Sequence, residues 1–334
     1  MVQKLVLRNE VVKVKGRVKV ITIKKDEFEK FLQLRKLKIL DKEYEALMPP
    51  LDGLQKNTID ANGLATLVQQ FVSALITGWG NTNATTPAQM ILITSGGNIT
   101  LSYSSSINMN QQGVTVYLQV LQESGSWTFQ YYYVGFDTTN NSYSTSQLEL
   151  YVSAYEFYNG SASGGSNRVI YTNTVRIAYT NASFSKSSDS YLFIVWLIEF
   201  QNIPSYLVGF TPTLQNNVGI MAYTQVLTIS YIFHNFFIYF NNGECNFSCG
   251  GNCPSTYLGG FITYVQNNSV VLEFPLTVPL GVGVSNVEVL LCTIQPFANM
   301  PSIGGNMSTT LTPPVSGATF YVAIATLTVT YQAS

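Results

Sequence analysis

The sequence predicts a mainly β protein, with two tandem antiparallel β-sandwich, jelly-roll-like domains preceded by a basic N-terminal β/α segment. Three observations carry this expectation. From Thr85 onward, apolar and β-branched runs alternate with clusters of Ser, Asn and Gly, as in short strands joined by turns. Charge is segregated along the 334 residues. Fourteen of the 17 Lys and Arg lie between Lys4 and Lys56 against 8 carboxylates, so the head carries +6 and the rest −7, although the total is −1. Residues 12–22 also alternate strictly, with Val12, Val14, Gly16, Val18 and Val20 on one parity and Lys13, Lys15, Arg17 and Lys19 on the other.

Taken in order, residues 1–56 form a basic anchoring segment. Its alternation predicts an extended strand, or a hairpin turning at Gly16, with four cations along one face. Such a stripe suits a nucleic-acid backbone or another anionic partner, and it equally suits a solvated edge strand guarded by lysines. The acidic start Asp26-Glu27 and the run FEKFLQLRKLKIL predict one or two short helices before Pro49-Pro50. Residues 57–84 hold an amphipathic helix and linker. Leu64, Leu67, Val68, Phe71, Leu75 and Ile76 recur at helical spacing, Asp60 or Asn62 can cap the start, and Gly78 can close the end.

The first β domain spans residues 85–205, with runs such as QMILIT, WTFQYYYVGF, QLELYV and YLFIVWLIEF. A Pro- and Asn-containing break at 202–217 separates it from the second, residues 206–334, which contains FFIYF, SVVLEF, VEVLLCTI and ATFYVAIATLTVTYQ. The second carries the loop GECNFSCGGNCP. Cys245, Cys249, Cys253 and Cys292 are candidates for disulfides, because the C-x3-C-x3-C spacing is not that of a zinc knuckle and no second His exists. Asn-x-Ser/Thr sequons at Asn83, Asn98, Asn140, Asn159, Asn181, Asn246, Asn267 and Asn306 are a slight excess over chance and mark glycosylation candidates.

Catalytic chemistry finds little support. The only imidazole, His234, sits in an apolar run, and the carboxylates Glu123, Asp137, Glu149, Glu156 and Glu199 show no spacing that singles out an acid–base pair. Gly281–Val284 lacks the third glycine and the following helix of a dinucleotide site. The expectation is therefore a non-enzyme with no cofactor and no metal. Trp127 and Tyr131, Tyr132 and Tyr133 could stack on carbohydrate, or serve as cross-strand aromatic pairs. No apolar run reaches the length of a spanning helix, and the charged start lacks the form of an export signal.

A lysine-rich head, an amphipathic helix and Tyr/Asn/Ser/Thr-rich β segments from Gln89 to Tyr331, nearly free of cations, resemble the jelly-roll structural proteins of viruses that infect hyperthermophilic archaea. That resemblance implies a capsid, penton or turret/spike component assembled in the host cytoplasm. Its partners would be further copies and other virion proteins, with the cationic N-terminus turned inward toward packaged nucleic acid and host surface glycans as possible outer ligands. An extracellular filament or adhesin subunit, polymerised by strand addition, is the alternative.

Overall fold

The computed structural model describes residues 2–28, 53–77, 88–104, 106–123, 126–153, 155–158, 168–171, 173–204, 235–240, 257–258, 262–279, 286–292, 304–310 and 320–334. The protein is mainly β, and its largest sheet is built around its first strand. β1 (Val2–Lys24) is a single extended element. The chain continues through β2 (Gln55–Lys56) and β3 (Thr58–Ile59) to helix α1 (Ala61–Thr77). The strands β4 (Ala88–Thr94), β5 (Gly97–Ser102), β6 (Gln112–Glu123), β7 (Ser126–Asp137) and β8 (Tyr143–Val152) follow. Next come β9 (Tyr155–Tyr158), β10 (Arg168–Tyr171), β11 (Val175–Lys186) and β12 (Ser190–Pro204). The last third holds β13 (Asn235–Phe240), β14 (Tyr257–Leu258), β15 (Ile262–Gln266), β16 (Ser269–Pro279), β17 (Asn286–Cys292), β18 (Gly304–Thr310) and β19 (Phe320–Ala333).

The large, jelly-roll-like sheet has the order β15-β16-β19-β1-β12-β7-β6, with β2 added beside β1. β1 runs parallel to β19 on one side and antiparallel to β12 on the other. A second, antiparallel sheet has the order β3-β11-β8-β4-β5. Two smaller assemblies, β9-β10 and β14-β13-β17-β18, complete the strands described.

One apolar core joins the two main sheets and the helix. Val12, Val14 and Val18 of β1, Tyr131 and Tyr133 of β7, and Ile194, Trp196 and Ile198 of β12 meet Met90, Leu92, Leu148 and Leu150 of the second sheet. Leu64, Leu67 and Val68 of α1 extend the same core to Val270, Leu327 and Val329, so the helix covers the β15-β16-β19 end that the second sheet leaves free. Gly135 lets the layers approach, since a Cβ there would stand 2.6 Å from Met90 Sδ.

β12 explains its own unbroken hydrophobicity. Leu192, Ile194, Trp196, Ile198 and Phe200 face this core, whereas Tyr191 and Phe193 pack with Phe28, and Val195 and Leu197 with Tyr132 and Leu54, on the other face. A strand covered on both sides needs no polar alternation. In β1 the inward parity changes from Leu5 and Leu7 to Val12 and Val14, and the cause is a register shift between Val6 and Arg8 against β19.

Several expectations change. β1 is neither a hairpin nor an edge strand; it is central and unbroken through Gly16. Gly16 has a different reason. β2 takes the place beside β1 that β19 vacates after Ala333, and the chain then crosses to β3 in the opposite sheet, passing Asn57 over Gly16. A Cβ on Gly16 would lie 2.3 Å from Asn57 Oδ1. The tandem two-domain arrangement is matched only in part, because β1, the β6–β7–β12 group and the β15–β16–β19 group share one sheet across the expected 205/206 division. The expected helices over 26–47 lie outside the described residues beyond one helical turn at 25–28, as does the expected close of α1 at Gly78.

Asp60 is the cap of α1. Its Oδ1 accepts from the Gly63 amide at 3.0 Å, its own amide donates to Ile177 O, and Arg176 donates to its Oδ2 at 3.0 and 3.1 Å. Arg176 also donates to Glu149 Oε1 at 2.7 Å, and Tyr151 donates to Glu149 Oε2. The helix start is thereby clamped to β11 and β8. Burial alone would raise the Asp60 carboxyl, but the Gly63 amide and Arg176 outweigh it and hold the group below its ordinary 3.8.

Because that value is depressed on folding, the stabilisation is fully present above about pH 4 and is lost as pH falls through the lowered value. Asp60→Ala is expected to cost about 1–2 kcal/mol at neutral pH and to flatten the acid limb of stability, both read from urea melts across pH 2–7. The glycines rank by what their Cβ would meet. Gly63→Ala, driven to 1.7 Å from the Arg176 carbonyl oxygen, is expected to lower the melting temperature more than Gly16→Ala, which meets only a side-chain amide.

Candidate partner-binding face

The four cations singled out in the sequence for an anionic partner all stand on the outward face of β1. Lys13 and Arg17 are exposed, and Lys15 and Lys19 are half-buried. Period-2 alternation puts them opposite the core valines, so strand geometry delivers the stripe without any special loop. Their neighbours across the β12 ladder are Gln201, Glu199, Leu197 and Val195 in turn, and exposed Lys56 of β2 pairs with Arg17 on the other side.

One carboxylate sits inside this row. Glu199 is the only charged residue in the buried stretch Tyr191–Phe200. Arg17 Nη2 lies 3.3 Å from its Oε2, and Gln130 of β7 donates to its Oε1 at 2.9 Å. Tyr132 donates to Gln130 Oε1 at 3.3 Å. Burial raises the Tyr132 hydroxyl, the Glu199 charge raises it further, and Arg17 partly offsets both. A three-strand polar row therefore runs from β1 to β7, with Glu199 as its anchor. Among the described residues the row sets Lys13, Lys15, Arg17, Lys19 and Lys56 around Glu199.

The sequence offered Glu199 only as a carboxylate weighed for acid–base work, and its place beside Arg17 was missed, as was Gln130. The available signal was a lone carboxylate within an apolar run, on the parity of Tyr191, Phe193, Val195 and Leu197. That pattern has two readings until a neighbouring cation is known.

Two other cations are spent inside the β framework. Arg176 belongs to the helix clamp and lies over the Tyr179 ring at 4.9 Å. Lys186 is wholly buried, donates to the carbonyls of Thr139 and Asn141 at 2.8 Å, and stands 3.9 Å from Asp137. Burial pulls its pKa down and Asp137 partly restores it. Asp137 is itself saturated by the Thr139 amide, the Thr139 hydroxyl and the Tyr143 hydroxyl. Three of the carboxylates considered for acid–base work, Asp137, Glu149 and Glu199, thus hold the framework together. Glu123 and Glu156 lie on strands β6 and β9.

Tyr131, Tyr132 and Tyr133 are all buried, at 0%, 1% and 0% exposure, and Trp127 is buried as well. Tyr131 and Tyr133 stack within the core at 6.4 Å, so this group offers no face to a sugar; its neighbours on both sides of the sheet are core residues. Of the sequons, Asn98, Asn140, Asn181 and Asn267 are exposed, and Asn306 lies on β18. Asn83, Asn159 and Asn246 fall outside the described residues, as do Cys245, Cys249, Cys253 and His234; Cys292 ends β17. Among the described residues no helix is long and apolar enough to cross a membrane, and no three His, Cys, Asp or Glu side chains gather as a metal site.

Removing Arg17 leaves a carboxylate that is 6% exposed without its cation, although Arg17 itself is 47% exposed and partly screened. Arg17→Met is expected to cost about 1–2 kcal/mol in chemical denaturation, and adding Glu199→Gln to recover part of that loss. A double-mutant cycle with no coupling would remove Glu199 as the anchor of the row.

Compared with known proteins, the chain is 50% identical over 345 aligned positions to uncharacterized protein 60 of the Sulfolobus islandicus filamentous virus (isolate Iceland/Hveragerdi), an archaeal virus. The alignment spans 100% of this chain and 99% of that relative. No family model matches the chain, and no solved structure matches it.

Proposed function

This chain belongs to the family of that archaeal-virus protein, and from this premise we propose that it is a structural virion protein, a capsid, vertex or turret component that assembles through its β layers with the cationic face of β1 turned inward. The observation that carries the reading is the seating of the stripe. A central strand, hydrogen-bonded to β12 throughout the stripe and to β19 and β2 along parts of its other edge, offers one face to the core and the other, with its row of cations, to a partner. Fixed cations on a sheet face suit a repetitive anionic surface. That surface is packaged nucleic acid or an acidic neighbouring virion protein.

The remainder of the chain supports the same direction. Its net of −7 and its wealth of hydroxyl and amide side chains keep a β surface wet without cations. The source of the relative, a virus named as filamentous, favours a coat or projecting component over a five-fold vertex. Exposed Asn98, Asn140, Asn181 and Asn267 are open to glycans on the outer surface, and the Cys245–Cys253 loop would supply disulfides. Catalysis and cofactors have no part in this reading.

Mass spectrometry of purified particles tests the role directly, with the expected outcome a stoichiometric structural band. The inward face is tested by Lys13→Gln with Lys15→Gln, followed by titration of a DNA duplex against salt. Losing two phosphate contacts is expected to lower the slope of log K against log salt by roughly 1.8 on a duplex. An unchanged slope with binding intact would move the nucleic-acid contact elsewhere, and absence of binding in the unmodified protein would leave the acidic virion protein as the partner.

A further inference from the structure

The outward face of the large sheet is divided. Over β12 and β7, apart from the Glu199–Gln130 row, it is apolar and packed, by Phe28 around Tyr191 and Phe193 and by Leu54 around Val195 and Leu197. Over β15, β16, β19 and the first half of β1 no such apolar cluster covers it among the described residues, and it is differently composed. Val270, Leu327, Val329 and Tyr331 point into the core, so Thr326, Thr328 and Thr330 of β19 point out, each half-buried.

The registers set these outward residues in rows. Tyr264, the buried Val271, Thr328 and Asn9 form one, and Gln266, Ser269, Thr330 and Val11 the next. Glu273, Thr326 and Val6 form a third. Of the four large hydrophobic side chains exposed among the described residues, three belong to these rows, namely Val6 at 58%, Val11 at 42% and Tyr264 at 37%. A patch that gathers apolar side chains among uncharged hydroxyls, instead of scattering them, marks a contact surface.

We infer that this face of β15-β16-β19-β1 is a two-fold interface with a second copy of the chain, sheet against sheet, with the axis parallel to the strands. The inference deepens the assembly reading above and rests on it. Charge chooses the occupant and the axis. Along the β1 side the face ends in Lys4 and Lys13, and on the β16 side its carboxylate is Glu273, held by the Tyr264 hydroxyl at 3.0 Å. A two-fold axis along the strands, lying between β16 and β19, sets β1 of each copy over β15 of the other and brings the cation margin of one toward the Glu273 side of its mate. An axis across the strands would instead lay β1 on β1, cation on cation. The Ser269–Thr330 hydroxyl pair at 2.8 Å and the Thr328 row then sit at the centre, where flat, uncharged side chains allow close stacking.

The size suits a weak dimer. Strands about 4.8 Å apart at about 3.4 Å per residue, with eleven paired residues between β16 and β19 and twelve between β1 and β19 but five between β15 and β16, give a face on the order of 450 Å². That is below the roughly 800 Å² per partner of a standard interface and in the range of a weak, concentration-dependent dimer.

Sedimentation of the full chain provides the test. A concentration-dependent dimer is expected, and Thr328→Arg, a half-buried surface position, should raise its dissociation constant at least tenfold while the melting temperature stays unchanged. Val11→Cys with Gln266→Cys should form a disulfide-linked dimer under oxidation, because the axis sets row against row, and Val11→Cys alone should not. A monomer at high concentration, an unchanged dimer in Thr328→Arg, or cross-linking by Val11→Cys alone overturns the interface, as does capture of this face by a different virion protein. A monomer that is still found in purified particles overturns only the interface. A dimer absent from particles overturns only the virion role.

Discussion

The structure depends on the pairing of β1. This strand pairs with β19 over Val2–Val14, with β12 over Lys13–Lys24 and with β2 at Arg17 and Val18, so the beginning, the middle and the end of the chain meet in one sheet. A parallel neighbour cannot be reached by a tight turn, and here nearly the whole chain intervenes between β1 and β19. That long closure costs chain entropy, which must be recovered by burial on both faces of the sheet's centre. β12 shows this recovery, with every residue from Tyr191 to Phe200 buried.

This seating also governs the charges. Because one parity of β1 builds the core, the other parity is held in a fixed, extended row, and four cations cannot relax away from one another as they would on a mobile arm. Glu199 relieves the repulsion from within the ladder, with Gln130 and Tyr132 supporting it. The same economy explains Arg176 and Lys186, two of the three cations after residue 56. A charge is retained in the β region where carboxylates or carbonyls surround it, since an unpaired buried cation would be far costlier than an apolar side chain. Lys186 closes the corner between β7 and β11 through the Thr139 and Asn141 carbonyls. Arg176 fixes the start of α1 to β8 and β11.

Much of the framework was legible in the residues. The alternation of residues 12–22 gave the strand and its cation face, and the Leu64-Leu67-Val68 spacing with Asp60 gave α1 and its cap. The apolar runs from Gln89 onward marked strands that the structure contains. What escaped was partnership. Gly16 looked like a turn because glycine usually serves one, yet it is required by Asn57 crossing from another strand. The three consecutive tyrosines left sugar stacking and cross-strand aromatic pairing both open, and the cover on both faces of the sheet decides for burial. The division near residue 205 followed from Pro and Asn content, which reports a local break and carries no information about which distant strands share a ladder.

Sequence alone therefore determined the properties that are periodic or compositional: a mainly β chain, a cationic strand face, a capped amphipathic helix and the segregation of charge between head and body. Each of these is set within a few residues by backbone geometry. Only the tertiary structure decided that the basic strand lies at the centre, that Glu199 answers Arg17, and that apolar clusters among the described residues cover one half of the outer face and not the other. These depend on contacts between residues up to some 320 positions apart, such as Thr326 bonding to the Leu5 carbonyl, and no local pattern encodes the identity of such a partner.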